Sequence, residues 1–130
     1  MSPSRIKAGA ITKVGLTVKN LDMTAENYRN ILGIGPWEIL EVSPPTLRDG
    51  AYHGKPASQA MRIGRAMVGP MQLELVQPVT GDTFFFDFLC KHGEGISHIG
   101  SEVASVSETT RVMAEVGFTT LLHAGEYLVF

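Results

Sequence analysis

The sequence predicts an α+β domain made of two similar strand–helix–three-strand (βαβββ) units. Their strands form a curved mixed sheet around a cleft, with the helices outside. Three observations predict it. First, ITKVGLTVKNLD (11–22) recurs eighty-five positions later as ISHIGSEVASVS (96–107), with Gly15 on Gly100, Val18 on Val103 and Leu21 on Val106. Second, each copy alternates with the two-residue period of a strand and then meets a residue able to cap a helix. Third, the order of elements that follows the first copy starts again after the second.

Taken in order, residues 11–18 place Val14, Leu16 and Val18 on one face and Lys13, Gly15 and Thr17 on the other. Asp22 is the expected cap of a first helix, whose apolar positions Ala25, Tyr28, Ile31 and Leu32 recur at helical spacing and which Gly33 ends. WEILEV (37–42) is a second strand. SPPTLRDGAYHGKP (43–56) is rich in Pro and Gly and reads as a long surface loop, and such loops often carry function. QAMRIGRAMV (59–68) and MQLELVQP (71–78) are two further strands joined at Gly69-Pro70. These make unit one, about 11–78. Residues 82–93 are a linker helix, with Asp82 as cap and Gly93 as stop. Unit two, about 96–130, begins with SHIGSEV and continues through a helix capped by Ser107 to Gly117. FTTLLHAGEYLVF then predicts a hairpin about Ala124-Gly125. Two strands follow the second helix where three follow the first, so the second unit is expected to lack its last strand. An exposed strand edge recruits partners, so a homodimer is expected.

Bulk properties narrow the function classes. A chain of 130 residues is one domain, 1–130. It is 44% hydrophobic and 18% charged, with a formal charge of −2, so no basic field points to nucleic acid. No apolar run approaches the roughly 20 residues of a membrane span, and the N-terminus has no signal-peptide core. Cys90 is the only cysteine, which excludes an internal disulfide and disfavours a thiolate metal site. The expectation is a cytoplasmic protein that binds a small molecule, without nucleic acid or membrane.

Strand alternation selects the candidate residues. Met71, Leu73 and Leu75 form a row for helices to cover, which turns Gln72, Glu74 and Val76 to the opposite side. His98, Gly100 and Glu102 share a face of the second repeat, and the repeat places Lys13 on the equivalent face of the first. Arg62 is assigned to the same surface because Met61 and Ile63 read as core. Gly15, Gly64 and Gly100 would keep that surface open. Tyr52, with His53 and Lys55, offers ligand contacts from the long loop. The phenylalanines at 84, 85, 86 and 88 read as packing beneath the linker. Glu74, set between leucines, needs a partner wherever it is buried.

These features resemble the vicinal oxygen chelate superfamily of glyoxalases, methylmalonyl-CoA epimerases, extradiol dioxygenases and bleomycin-binding proteins. The epimerase and glyoxalase-like branch is closest. The likeness rests on KVGLTVKNLDMTAENYRNILGIGPW, on MQLELVQP and on FLCKHGEGISHIGSEV, of which GEGISHIG is the most specific part. The resemblance implies a divalent metal held by the first and last strands of each unit. Carried over, those positions are Lys13, Glu74 and His98, so His98 and Glu74 are the candidate metal ligands. Lys13 stands where a histidine is expected, and the fourth ligand would come from the strand that unit two lacks. The epimerase branch also exchanges a proton with two carboxylate bases. One of them lies on the third strand of unit one, where this chain has Arg62 and Arg65.

Two functions follow as expectations. One is a glyoxalase- or epimerase-like enzyme acting on a small carbonyl, 2-oxo acid or acyl thioester by metal- or cation-assisted enolate stabilisation. Glu74 and Lys13 would be catalytic, and Arg62, Gln72 and Tyr52 would bind substrate. The other is a metal-free small-molecule-binding protein. An ammonium donates only and cannot ligate while protonated, so Lys13 is expected to supply Glu74 with the positive charge a metal would otherwise bring.

Overall fold

The computed structural model describes residues 9–42, 51–52, 55–56, 60–81, 83–118, 122–124 and 127–129. The chain runs through β1 (Ile11–Thr17), α1 (Leu21–Leu32), β2 (Glu38–Val42), β3 (Ala51–Tyr52) and β4 (Lys55–Pro56). It continues through β5 (Ala60–Val68), β6 (Met71–Thr80), α2 (Phe84–His92), β7 (Gly95–Ser101) and α3 (Val106–Glu115), and then β8 (Leu122–Ala124) and β9 (Tyr127–Val129). Five strands form a mixed sheet in the order β2–β5–β6–β1–β7, which does not close. This is the α+β fold the sequence predicts.

Short-range chemistry sets the joints. The Gly69-Pro70 turn, with Gly69 at φ 61°, pairs Val68 with Met71 and so fixes every β5–β6 pair up to Met61 with Pro78. β1 lies parallel to β6 on one side and antiparallel to β7 on the other. In the second pairing Lys13 is opposite Gly100 and Gly15 is opposite His98. Since Lys13 corresponds to His98 and Gly15 to Gly100, the two repeats meet about a local two-fold. β7 is an edge strand with no second neighbour among the described residues, and Ile96 and Ile99 on it are 64% and 61% exposed.

The helix caps differ from those expected. α1 starts after Asn20, whose side chain accepts from Met23 N, while Leu21 N donates to Gln77 Oε1. Asp22 is therefore inside the first turn, where its charge complements the helix dipole. α2 is capped by Thr83, which accepts from Phe86 N; Asp82 lies outside the described residues. α3 is capped by Ser105 rather than Ser107, with Glu108 N donating to Ser105 Oγ. In each case an Asn, Ser or Thr with extended backbone, placed just before the expected residue or one residue beyond it, takes the cap. Gly33 ends α1 at φ 68° as expected.

Both faces of the sheet carry a core. On one, Leu21 and Ala25 of α1 meet Val18 and Leu75, with Leu16, Tyr28 and Trp37 around them. On the other, Phe85 of α2 packs on Met61 and Val76, with Ile63, Val42 and Phe84. Thus Phe85 does pack beneath the linker, while Phe86 is 43% exposed. The long loop lies mostly outside the described residues. Its described parts, β3 and β4, join β8 and β9 in a second sheet of order β4–β3–β8–β9. The terminal hairpin forms with Ala124 opposite Tyr127.

Candidate functional site

Glu74 sits mid-strand between Leu73 and Leu75, yet its side chain is 1% exposed. Burying an unpaired carboxylate is costly enough that the group usually neutralises instead. Three side chains prevent that here. Lys13 Nζ and Arg65 Nε each lie 3.2 Å from Glu74 Oε2, and His98 Nε2 lies 3.2 Å from Oε1.

Register explains the convergence. Gly15 is opposite Glu74 across β1–β6, so Lys13, two residues earlier, shares the face and stands opposite Gln72. Arg65 is directly opposite Glu74 across β5–β6. His98 is opposite Gly15 across β1–β7, and its imidazole reaches Glu74 by lying over that glycine. A Cβ at position 15 would overlap the imidazole, so the absence of a side chain there is what admits His98. The mirror arrangement places the Lys13 stem over Gly100, where a Cβ would meet Lys13 Cβ at 3.2 Å.

A register shift between Gly15 and Leu16 turns both Ser97 and His98 inward from adjacent positions of β7. Thr17 Oγ1 donates to Ser97 Oγ at 2.9 Å, and Ser97 Oγ lies 2.9 Å from His98 Nδ1. The ionised Glu74 carboxylate can only accept, so the imidazole presents Nε2–H to it. Phe85 meets the imidazole edge-to-face at 5.4 Å and fixes its plane.

Burial pushes the Glu74 carboxyl up, but the His98 hydrogen bond and the Lys13 charge outweigh it. Together they hold its pKa down at about 2, against 4.5. Glu74 is thus a permanent anion at neutral pH. Lys13 and Arg65, 20% and 34% exposed, give the cluster an excess positive charge at its solvent side.

Of the residues selected from sequence, the structure brings Lys13, Glu74 and His98 into contact and places Gln72 one residue pair away. Arg62 is not with them. Its Nη1 and Nη2 bond Asp22 at 2.8 and 3.0 Å, and its Nε lies 3.7 Å from Glu41. It therefore faces α1. Met61 and Ile63 are indeed core, but of the core under α2, so alternation sends Arg62 to the opposite side. Gly64 likewise lies under Leu21 rather than on the Glu74 face. The backbone of Tyr52 pairs within the second sheet, and its side chain lies outside the described residues, as does His53.

Arg65, Ser97 and Thr17 were not selected from sequence as site residues. Arg65 was legible: counting back three residues from Val68 and forward three from Met71 pairs it with Glu74. Ser97 had no such signal, since nothing in GISHIG announces the register shift.

The donor set does not fit the divalent metal that the resemblance implies. Of the three carried-over positions, one is an ammonium, which donates only and sits on Glu74 Oε2. Arg65 adds a second cation at that oxygen. Among the described residues, no group of three or more His, Cys, Asp or Glu could hold an ion. Beside Arg65 lies a cavity of about 370 Å³, lined also by Pro36, Trp37, Glu38, Met67 and Gln72.

A family model described as the glyoxalase/bleomycin resistance protein/dioxygenase superfamily matches residues 12–127. Among solved structures, a Streptomyces coelicolor methylmalonyl-CoA epimerase variant in complex with 2-nitronate-propionyl-CoA is 22% identical with a TM-score of 0.66, over 88% of this chain and 74% of that one. Methylmalonyl-CoA epimerase from Mycobacterium tuberculosis is 20% identical with a TM-score of 0.61, over 92% and 71%. A hypothetical protein from Bacillus halodurans C-125 is 22% identical with a TM-score of 0.60, over 86% and 71%. At these identities the likeness is one of fold. No curated protein sequence matches.

Proposed function

We propose that this chain, which belongs to the glyoxalase/bleomycin resistance protein/dioxygenase superfamily, uses Lys13 and Arg65 in place of a metal to bind a small anionic ligand. The ligand is a carboxylate, a 2-oxo acid, or the oxygen of an acyl thioester or enolate. The carrying observation is the shared Glu74 Oε2, which pins two cations 3.2 Å from one buried oxygen. At about 4 Å and an effective dielectric near 20, each unit-charge attraction is on the order of 4 kcal/mol before desolvation is subtracted. The pair is therefore held in place ahead of ligand arrival, and preorganised charge is what stabilises a developing oxyanion.

Binding is the reading the residues support best. A general base works best with a pKa near the operating pH. Glu74, held at about 2 with both oxygens engaged, is far from that. Metal-free sequestration of a small carboxylate needs no base. The fold likeness to methylmalonyl-CoA epimerases supports a second reading, in which the same cations stabilise an enolate and a base comes from residues outside those described.

Calorimetric titration with pyruvate separates these outcomes. Wild-type protein is expected to bind it saturably, Lys13→Met to bind at least tenfold more weakly, and Arg62→Met to bind as wild type. Equal binding by wild type and Lys13→Met would overturn the assignment. Deuterium exchange beside the thioester carbonyl of propionyl-CoA, followed by NMR, would establish the enzymatic reading. A homodimer through the β7 edge, which has no second neighbour among the described residues, is proposed as well; sedimentation showing only monomer at micromolar concentration would contradict it.

A further inference from the structure

The cavity beside Arg65 is not needed to hold a bare anion, and its lining has its own chemistry. Its volume of about 370 Å³ falls in the range of roughly 300–1,000 Å³ common for ligand pockets. Three walls are apolar. Pro36 and Trp37 come from the segment entering β2, and Met67 comes from the end of β5, where it is 57% exposed. The Trp37 indole is fixed: its Nε1–H donates to Ile34 O at 2.9 Å, and its ring lies 6.3 Å from that of Tyr28. A rigid aromatic wall beside an unbranched, adaptable thioether suits an apolar body.

The polar groups fix the other end of such a ligand. Arg65 is anchored through Nε on Glu74, and its two terminal nitrogens make no hydrogen bond among the described residues. A guanidinium held this way presents the planar fork that matches one carboxylate. Glu38, opposite Arg65 across β2–β5 and lining the same cavity, disfavours a second negative charge. Gln72 adds a neutral amide on the Glu74 side.

We propose that this cavity takes the apolar body of a monocarboxylate whose carboxylate rests on the terminal nitrogens of Arg65. The inference rests on the anion-site reading above through Arg65 and narrows its ligand class. It favours an aryl or branched-alkyl monocarboxylate over acetate, over a dicarboxylate and over the neutral alcohol of the same body.

Trp37 is the only tryptophan, so its fluorescence reports this cavity directly in the full chain. Hydrocinnamate is expected to change it saturably. Acetate, phenylpropanol and benzylmalonate should each need at least tenfold higher concentration. Met67→Glu, at an exposed wall of the cavity opposite Gln72, should weaken hydrocinnamate at least tenfold, and Arg65→Gln similarly. Arg62→Met, whose guanidinium is turned to Asp22 on α1, should stay within about threefold of wild type. Hydrocinnamate that leaves Trp37 unchanged, or that binds Met67→Glu as well as wild type, overturns the proposal. If that happens while pyruvate binding persists and is lost on Lys13→Met, the cavity assignment fails and the anion site stands. If hydrocinnamate behaves as expected and pyruvate does not bind, the cavity stands and the Lys13 anion site fails. If neither binds, both fall.

Discussion

β1 and β7 are related strands met twice, side by side and antiparallel, and the difference that matters to the site is Lys13 in one against His98 in the other. β1 sends Lys13 over Gly100; β7 sends His98 over Gly15. Both reach Glu74 on β6, at Oε2 and Oε1 respectively. The repeat has kept the positions and the glycine that makes room at each, while the chemistry has diverged. What this teaches is that backbone register specifies where a side chain arrives, whereas the side chain decides what chemistry it brings there. A pair of histidines at these positions would converge on a cation. A lysine and a histidine, with Arg65 closing the third side, converge on an anion instead.

The comparison breaks most severely at the residue both strands serve. Glu74→Gln leaves Lys13 and Arg65 without their counter-charge, and unfolding in urea should show a loss of about 3 kcal/mol, the lower end for a broken buried pair because both cations can turn to solvent. A loss under about 1 kcal/mol would mean that the cluster contributes little to holding the strands together.

Acid probes the same residue without mutation. The Glu74 pKa is lowered from 4.5 to about 2. A depressed carboxyl adds stability that is fully present above its unfolded value and is lost as pH falls through the folded one. Stability should therefore fall by about 3 kcal/mol between pH 5 and pH 2 on account of Glu74. Glu74→Gln should show a correspondingly flatter acid limb, and an unchanged limb in that variant would contradict the assignment.

The two glycines sharpen the comparison. Gly15→Ala forces the His98 ring out from beside Phe85, and overpacking of this kind costs about 1–3 kcal/mol. Gly100→Ala meets only the aliphatic stem of Lys13 at 3.2 Å, which can shift, so its cost should stay below about 1 kcal/mol. Equal costs in thermal unfolding would show that the two-fold relation of β1 and β7 is not what places these side chains.

Much of this was legible in the sequence, and the limits have physical causes. Alternation together with the GLTV and GSEV repeats placed Lys13, Glu74 and His98 on one face, because a strand has a period of two and a repeat preserves it. Arg62 went astray because alternation gives two faces without saying which core covers each, and here Phe85 and Leu21 cover both. Arg65 could be read only by pairing β5 with β6 around Gly69-Pro70. Ser97 could not, since a bulge depends on how β7 meets β1 and leaves no pattern within either strand. The helix caps shifted because several capping residues stand close together, as at Asn20 and Asp22, and the one with extended backbone wins.

We propose that Lys13 and Arg65 take the place of a metal around Glu74. Metal content of the purified full chain, followed by calorimetric titration of wild type and Lys13→His with nickel, cobalt, zinc and manganese, tests it most directly. An ammonium removes a ligand and repels a dication, so wild-type protein should carry little tightly bound divalent metal. Lys13→His should bind one of these ions at least tenfold more tightly. Wild-type protein holding near-stoichiometric metal that is lost on His98→Ala would contradict the account.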